Sequence, residues 1–323
     1  MALIEELKVK VRESKPEIVF PEGNDRRILR AAIRLNDEGD IKPIVLGDEE
    51  ELKALAEKEG VKLGNLEILN PETYAGKDEM VKAFVERRKG KVNEEQAAEI
   101  LKDHNYFGTM LVYMEKAKGL VSGAAHTTAD TVRPALQIIK TKPGYKRCSG
   151  AFIMIRNEEL YLMADCAINT DLDAEGLAEV AVVSNETAKQ FGIDPKVAML
   201  SFSTHGSASH ERVTMVAEAA KMAAERNPEM AVDGELQFDA AFIERVAKKK
   251  APDSKVAGHA NVFIFPNIEA GNIGYKLTQY FGGFKAVGPI LQGLNAPVND
   301  LSRGCVEDEA YALAIITAAQ AVL

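Results

Sequence analysis

Three short apolar runs near the N-terminus decide the fold class: EIVFPEG (17–23), KPIVLGD (42–48) and LEILNP (66–71). Each run is rich in aliphatic or aromatic residues and leads into Gly, Pro or Asn, which is typical of a buried strand followed by a loop. The segments between them have helical spacing, from Asp25 to Asn36 and from Glu49 to Glu59. Strands that alternate with helices predict βαβ units around a parallel sheet.

The alternation continues toward the middle of the chain. A helical stretch from Asp78 to about Lys118, interrupted near KGKVN and HNY, precedes a strand in GLVSGAAH (119–126). The next segment, TTADTVRPALQIIK (127–140), resumes as a helix. The Pro- and Gly-containing stretch TKPGYKRCSG (141–150) then changes the composition, so we place a domain boundary after residue 140.

The second half repeats this pattern with one addition. Two strands around a polar turn are predicted in GAFIMIRNEELYLMADCAIN (150–169), which introduces a β-hairpin. Helices are predicted from Ala174 to Gln190, from Glu211 to Arg226, from Ala240 to Lys249 and near Gly274 to Tyr280, with strands in KVAMLSFSTHGSA, MAVDGELQF, VFIFPN and AVGPILQG between or after them. Both halves therefore belong to the α/β class, and a ligand cleft between them is expected.

Composition excludes several classes of protein. The net charge of −9 and the isoelectric point near 5.3 argue against nucleic-acid binding, which needs a basic face. Three cysteines without metal-type spacing fit reduced thiols in the cytoplasm. Neither a secretory signal nor an apolar stretch long enough to span a bilayer is present, so we expect a cytoplasmic protein with no membrane partner.

The most informative segment is GPILQGLNAPVNDLSRGCVEDEAYALAIITAAQAVL (288–323), which reads as a strand, a polar loop and a helix. Four polar residues cluster before the helix: Asn299, Asp300, Ser302 and Arg303. Backbone donors, the Ser302 hydroxyl and the Arg303 guanidinium would converge there on one anion site. An acidic triplet, 307–309, occupies the first turn of the helix. An alternative is purely structural, with Asp300 or Ser302 capping the helix and the acids complementing its positive end.

The segment PVNDLSRG (297–304), with GPILQG upstream, resembles the C-terminal signature of the phosphate acetyltransferase (phosphotransacetylase) family. Longer segments resemble the same family in the same order: VSGAAHTTADTVRPALQIIKT, VAMLSFSTHGSA, DGELQFDAA and HANVFIFPNIEAGNIGYKL. The resemblance implies two α/β/α domains with mainly parallel sheets and an interdomain cleft. Residues 1–140 plus 295–323 would form the first domain and 141–294 the second. A homodimer is also implied.

The implied activity is an acyltransferase reaction of acetate metabolism: reversible acetyl transfer between acetyl-CoA and inorganic phosphate, giving acetyl phosphate and coenzyme A. Coenzyme A is then a substrate, and no tightly bound cofactor or metal is needed. By motif, Ser302 would donate a hydrogen bond to the carbonyl oxygen as negative charge develops, and Arg303 would hold the phosphate group. The thiolate would attack the acetyl carbonyl directly in a ternary complex, without an acyl-enzyme.

The resemblance to this family implies that the general base is an aspartate in the first turn of the terminal helix. Here an ungapped alignment places Glu309 at that position, whereas Asp308 has the expected residue type, so both stay candidates. A thiol has a pKa of about 8.5 and a carboxylate one of about 4, so the carboxylate is a weak base for the thiol. Efficient transfer therefore needs either a raised pKa of the carboxylate or a stabilised thiolate.

The resemblance implies that Arg88 in FVERRKGK and Arg133 in DTVRP bind the substrates, with Asn299 as a third candidate. The alternative for Arg88 is a solvated helix charge beside Arg87. Arg133 precedes Pro134, where a helix is expected to start and to help bind an anion.

Other residues carry weaker hypotheses. Cys305 invites an acetyl-cysteine intermediate, but no histidine is near it in sequence and we favour a buried packing role. His205 and His210 are five residues apart and do not share a helical face, which argues against a metal pair. His126 is expected to hold its loop by hydrogen bonding.

Three other functions compete with acetyl transfer. A phosphate butyryltransferase would keep the chemistry and accept a longer acyl chain, and a non-catalytic acyl-CoA or phosphate sensor would keep only the binding. A dehydrogenase is disfavoured because no dinucleotide fingerprint is present.

Overall fold

This computed structural model describes residues 2–323. Strands and helices alternate along much of this chain. They divide into two units, one made of the chain up to Pro143 together with Leu294–Leu323, the other of Gly144–Gly293. Each unit has its own sheet, and both sheets are largely parallel. The predicted α/β class is confirmed.

The first part of the chain supplies the following elements, in order: α1 (Ala2–Val11), β1 (Glu17–Phe20), α2 (Arg26–Glu38), β2 (Lys42–Leu46), α3 (Glu49–Lys58), β3 (Glu67–Leu69), α4 (Lys77–Arg87), α5 (Glu94–Ile100), α6 (His104–Tyr113), β4 (Gly119–Ser122), α7 (Thr128–Pro134) and a π-helix (Ala135–Ile139). Helix α2 shows how the sequence sets these limits. Asp25 caps its first turn by accepting from the Arg27 N–H, and Gly39 ends it with a left-handed φ of 71°.

The second unit continues with β5 (Ser149–Arg156), β6 (Glu159–Ala164), α8 (Ala174–Gln190), β7 (Lys196–Leu200), α9 (Glu211–Arg226), β8 (Ala231–Leu236), α10 (Phe238–Phe242), α11 (Glu244–Lys250), β9 (Val262–Ile264), α12 (Ile268–Tyr280) and β10 (Lys285–Gln292). The chain then returns to the first unit with β11 (Val298–Asp300) and α13 (Glu307–Val322).

The sheet of the first unit has the strand order β11-β4-β1-β2-β3, with every pair parallel. Consecutive residues of β1, Ile18, Val19 and Phe20, are all fully buried. Because neighbouring strand residues point to opposite faces, both faces of this sheet are covered. Helix α13 packs on β4 and on α1 and α2, so the C-terminal segment completes this unit.

The sheet of the second unit has the order β10-β5-β6-β9-β7-β8. The predicted hairpin is present, since β5 and β6 are antiparallel and turn between Arg156 and Glu159. Strand β10 is also antiparallel to β5, and the remaining pairs are parallel. Alternating side chains of β7 go to two apolar clusters, with Val197 and Met199 in one and Ala198 in the other.

Two helix predictions in this unit differ from the structure. The single helix expected from Ala240 to Lys249 is two short helices, α10 and α11, which meet at Ile243 in an extended conformation. Helix α12 begins at Ile268 rather than near Gly274, because Asn267 accepts a hydrogen bond from the Ala270 N–H and caps it there.

Candidate active site

Three loops of the first unit leave neighbouring strand ends. Strands β1, β4 and β11 are adjacent and parallel, so the loops that follow them start at the same edge of the sheet. These loops are residues 21–25, 123–127 and 301–306. The last one contains Ser302 and Arg303, the two residues that the sequence predicts for catalysis and phosphate binding.

The 301–306 loop is short and tightly bonded to its surroundings. Its start is fixed by a hydrogen bond from the Leu301 N–H to the Ser122 carbonyl, 2.7 Å long. The Ser302 Oγ accepts from the Gly304 N–H at 3.2 Å, and the side chains of Ser302 and Arg303 are both exposed. Within residues 2–323 the Arg303 guanidinium has no hydrogen-bond or ion-pair partner. It is therefore available for an anion.

The 123–127 loop is held by a buried carboxylate, Glu22. Its side chain accepts from the N–H groups of Ala124, Ala125 and His126, at 2.8, 2.8 and 2.9 Å, and from His126 Nδ1 at 2.7 Å. These bonds hold the loop and make Nδ1 the donor nitrogen of the imidazole. Sequence reasoning missed Glu22, and its only signal was a charged residue directly after an apolar strand.

Gly123 joins the two loops at a close approach. Its φ of +107° is strained for other residues, and a Cβ there would collide with Asp300 Oδ1 and with the backbone of Leu301. Asp300 is buried at the end of β11 and accepts from Thr128 Oγ1 at 2.7 Å. Neither Asp300 nor Ser302 caps α13, whose cap position is Val306. The capping alternative is therefore wrong for both residues.

Burial raises the pKa of Asp300 to about 6, and the nearby Glu22 charge adds to the rise.

Because of this raised pKa, we expect Asp300 to lower the free energy of unfolding as the pH rises. Below about pH 4, Asp300 is protonated in both the folded and the unfolded state. Between about pH 4 and 6 the unfolded state releases its proton first, so the free energy of unfolding falls. Above about pH 6 the fall is complete and amounts to at most about 3 kcal/mol. Chemical denaturation of wild type and Asp300→Asn across this range measures it. A constant difference between their free energies of unfolding would contradict the expectation.

The structure separates the three acids of the α13 first turn. Glu307 pairs with Arg30, and Asp308 is exposed and pairs with Arg34 Nη1 at 3.0 Å. Glu309 is half-buried, and its Oε2 accepts from the Val306 N–H at 3.1 Å. Burial raises the pKa of Glu309, against the opposing effect of that backbone N–H. Glu309 thus has the environment that a carboxylate base needs.

Asn299 lies away from the loop surface. Its side chain is fully buried on β11 and donates from Nδ2 to Thr317 Oγ1 at 2.8 Å and to Gln320 Oε1 at 2.6 Å. Both partners belong to α13. This amide therefore ties the strand to the terminal helix.

Arg88 and Arg133 share one neighbour, the phenol of Tyr106. Burial raises the pKa of Tyr106, while the positive charges of Arg133 and Arg88 oppose the rise. The expected helix start at Pro134 is wrong: α7 begins at Thr128, because Thr127 and Asp130 bond to each other at its first turn, so Arg133 lies in its last turn. Arg88 directly follows α4 as its C-cap, and its Nε is buried without a hydrogen-bond partner among the described residues.

Arg87, beside Arg88, has a structural role instead. It donates to the carbonyls of Ile138 and Ile139 and stacks on the Tyr113 ring.

Neither a cysteine nucleophile nor a metal site is supported by the described residues. Cys305 is buried, and burial raises the pKa of its thiol to about 11, which disfavours a thiolate nucleophile. Within residues 2–323, no group of three or more His, Cys, Asp or Glu side chains could hold a metal ion. None of the helices in the described chain is long and apolar enough to cross a membrane.

Comparison with known proteins assigns the family. The model of the family described as "Phosphate acetyl/butaryl transferase" matches residues 2–318. This chain belongs to that family. A phosphate acetyltransferase of Bacillus subtilis (strain 168) is 60% identical over 313 residues, with 97% of each chain covered. The predicted membership, and with it the predicted acyltransferase class, is confirmed.

Two solved structures agree with the fold. The EutD phosphotransacetylase from Staphylococcus aureus superposes with a TM-score of 0.93 and is 59% identical, covering 99% of this chain and 98% of its own. A phosphotransacetylase from Streptococcus pyogenes superposes with a TM-score of 0.95 at 57% identity, with the same coverage.

Proposed function

We propose that this chain catalyses reversible transfer of an acetyl group between coenzyme A and inorganic phosphate. The observation that carries the proposal is the exposed Ser302–Arg303 pair on a loop fixed from several sides, with an Arg303 guanidinium that has no partner among the described residues. Arg303 binds the phosphate group through paired N–H donors, and Ser302 donates to the carbonyl oxygen as it becomes negative. Coenzyme A is a substrate, and no tightly bound cofactor takes part.

The proposed reaction is a single displacement in a ternary complex. Glu309 takes the proton from the thiol of coenzyme A, the sulfur forms a bond to the acetyl carbon, and the bond from that carbon to the phosphate oxygen breaks. Phosphate leaves with the electron pair, bound by Arg303. The raised pKa of Glu309 brings it closer to that of the thiol, which favours Glu309 over the exposed Asp308.

Arg88 and Arg133 are proposed to bind anionic groups of the substrates, supported by their common position at Tyr106. For Asn299 we propose an indirect role, since its amide is already bonded to α13. We also propose that the two units are folding domains and that the protein works in the cytoplasm, which its three free cysteines support.

A coupled assay of the purified protein with acetyl phosphate and coenzyme A, following thioester absorbance, tests the function. Acetyl phosphate is expected to react faster than butyryl phosphate. A preference for the butyryl substrate would make the protein a butyryltransferase with the same mechanism. Tight binding of coenzyme A without turnover of either substrate would indicate a sensor.

We propose self-association as a homodimer through helix α12. Three exposed apolar residues lie along it, Ile273, Leu277 and Tyr280, and a fourth, Phe281, directly follows it. Tyr280 is 78% exposed and Phe281 is 89% exposed, which is costly for large apolar side chains that face only water.

Replacing both Leu277 and Phe281 by glutamate is expected to convert a dimer into a monomer, because two charges would then be buried in the interface. Light scattering after gel filtration measures the mass. The control is Val9→Glu, at an exposed apolar position on α1. A monomeric wild type, or a dimer that survives the double substitution, would contradict this interface.

A further inference from the structure

Arg27, in the first turn of α2, has every donor of its guanidinium engaged. Its Nε and Nη2 donate to the two oxygens of Asp25, at 3.0 and 2.7 Å. Nη1 donates to the carbonyls of Arg303 and Cys305, at 2.8 and 2.9 Å, and Nη2 also donates to the Ala124 carbonyl at 2.7 Å. A guanidinium has five N–H groups, so none is left for a substrate.

These five bonds connect all three loops of the candidate site. Asp25 and Arg27 follow β1, Ala124 follows β4, and the other two carbonyls follow β11. The carbonyls of Arg303 and Cys305 flank Gly304, so Arg27 fixes the part of the loop that carries the Arg303 guanidinium. The Ala124 peptide is held on both sides, because its N–H donates to Glu22 and its carbonyl accepts from Arg27.

Few other bonds could replace this contact. The other hydrogen bonds of the loop backbone in the described chain are those of Leu301 to Ser122, Cys305 to Ser302, Gly304 to the Ser302 hydroxyl, and Val306 to the first turn of α13. Two of them are internal to the loop and do not attach it to the rest of the unit. The planar geometry of the guanidinium also matters, since lysine presents its donors from a single nitrogen.

We propose that Arg27, oriented by Asp25, is a positioning residue that sets the orientation of the Ser302–Arg303 loop across the three strand ends. It acts through Arg303 and does not contact the substrate. The inference rests on the proposed function only for its kinetic consequence, because the structural consequence can be measured without activity.

The kinetic test is Arg27→Lys, with Arg26→Gln as the matched control. Arg26 is the adjacent residue, exposed and without a partner within the described chain. Misplacing a binding group by about 1 Å costs about 100-fold, so kcat/KM is expected to fall about 10- to 100-fold in Arg27→Lys and less than about twofold in the control. In an Arg303→Gln background the same substitution should cost clearly less, because one of the two groups on the positioned loop is absent. Equal costs in both backgrounds would overturn the proposal.

The second readout is cleavage by trypsin after Arg303, which is exposed. A loosened loop is expected to be cut about tenfold faster in Arg27→Lys, with no change in Arg26→Gln. If Arg27→Lys does not fold, Asp25→Asn replaces it, since asparagine also caps a helix but loses the charge that orients Arg27. Unchanged cleavage in a folded variant would overturn the proposal. An inactive wild type that shows the cleavage difference would instead overturn only the proposed function.

Discussion

Arg303→Gln is expected to lower kcat/KM for acetyl phosphate by about a thousandfold while the fold is retained. The guanidinium forms no hydrogen bond or ion pair in the described chain, so its loss removes no bond that stabilises the unit. A charge-assisted pair with phosphate is roughly twice as strong as a neutral hydrogen bond, and the phosphate becomes more negative as it leaves. The loss should therefore appear in the transition state as well as in substrate binding.

The variants around this substitution separate charge from geometry. Arg303→Lys keeps the charge and loses the planar pair of donors, so its loss should lie between those of wild type and Arg303→Gln. Ser302→Ala is expected to lower kcat about 100-fold with little change in KM, because the hydroxyl acts on charge that develops during reaction. Melting temperatures close to the wild-type value are the control. Activity within about threefold of wild type in Arg303→Gln would reject the site.

The sequence predicts the fold well where local signals decide it. The runs at 17–23, 42–48 and 66–71 become β1, β2 and β3, because apolar runs that end in Pro, Gly or Asn have few alternatives to a buried strand. Helix α12 shows where this fails. Gly271 and Gly274 lower its helix propensity, yet Gly271 packs where a Cβ would collide with the Asp165 carbonyl. Tertiary packing, which a local pattern does not show, explains why glycine stands inside this helix, whereas the local Asn267 cap sets its start.

The candidate site shows a similar division. Ser302, Arg303 and Glu309 can be proposed from the sequence because they lie close together, in the PVNDLSRG motif and in the first turn of the helix that follows it. Glu22 and Arg27 are not, because the residues of the other two loops that they bind lie about a hundred or more residues away and become neighbours only when β1, β4 and β11 pair. Asn299 lies within the motif, but its side chain is turned toward α13 by bonds that no short pattern predicts.

The second large loss of activity is expected at Glu309, which we propose as the base in preference to Asp308. Glu309→Gln is expected to lower kcat for thioester formation by about 100-fold or more, the usual contribution of a positioned base. Glutamine can still accept from the Val306 N–H, so the start of α13 should persist. Asp308→Asn should change kcat by less than about twofold, because this exposed carboxylate only pairs with Arg34.

The pH profile distinguishes a base from a residue that only supports the helix. Burial raises the pKa of Glu309, so the rate of thioester formation should fall as the pH drops through a value above the ordinary glutamate range near 4.3, where the base becomes protonated. Glu309→Gln should lose this acid limb, and Asp308→Asn should keep it. If the limb persists in Glu309→Gln and disappears in Asp308→Asn, the base is Asp308. A limb that persists in both variants assigns the proton to another group, either Glu307 or one outside the first turn of α13.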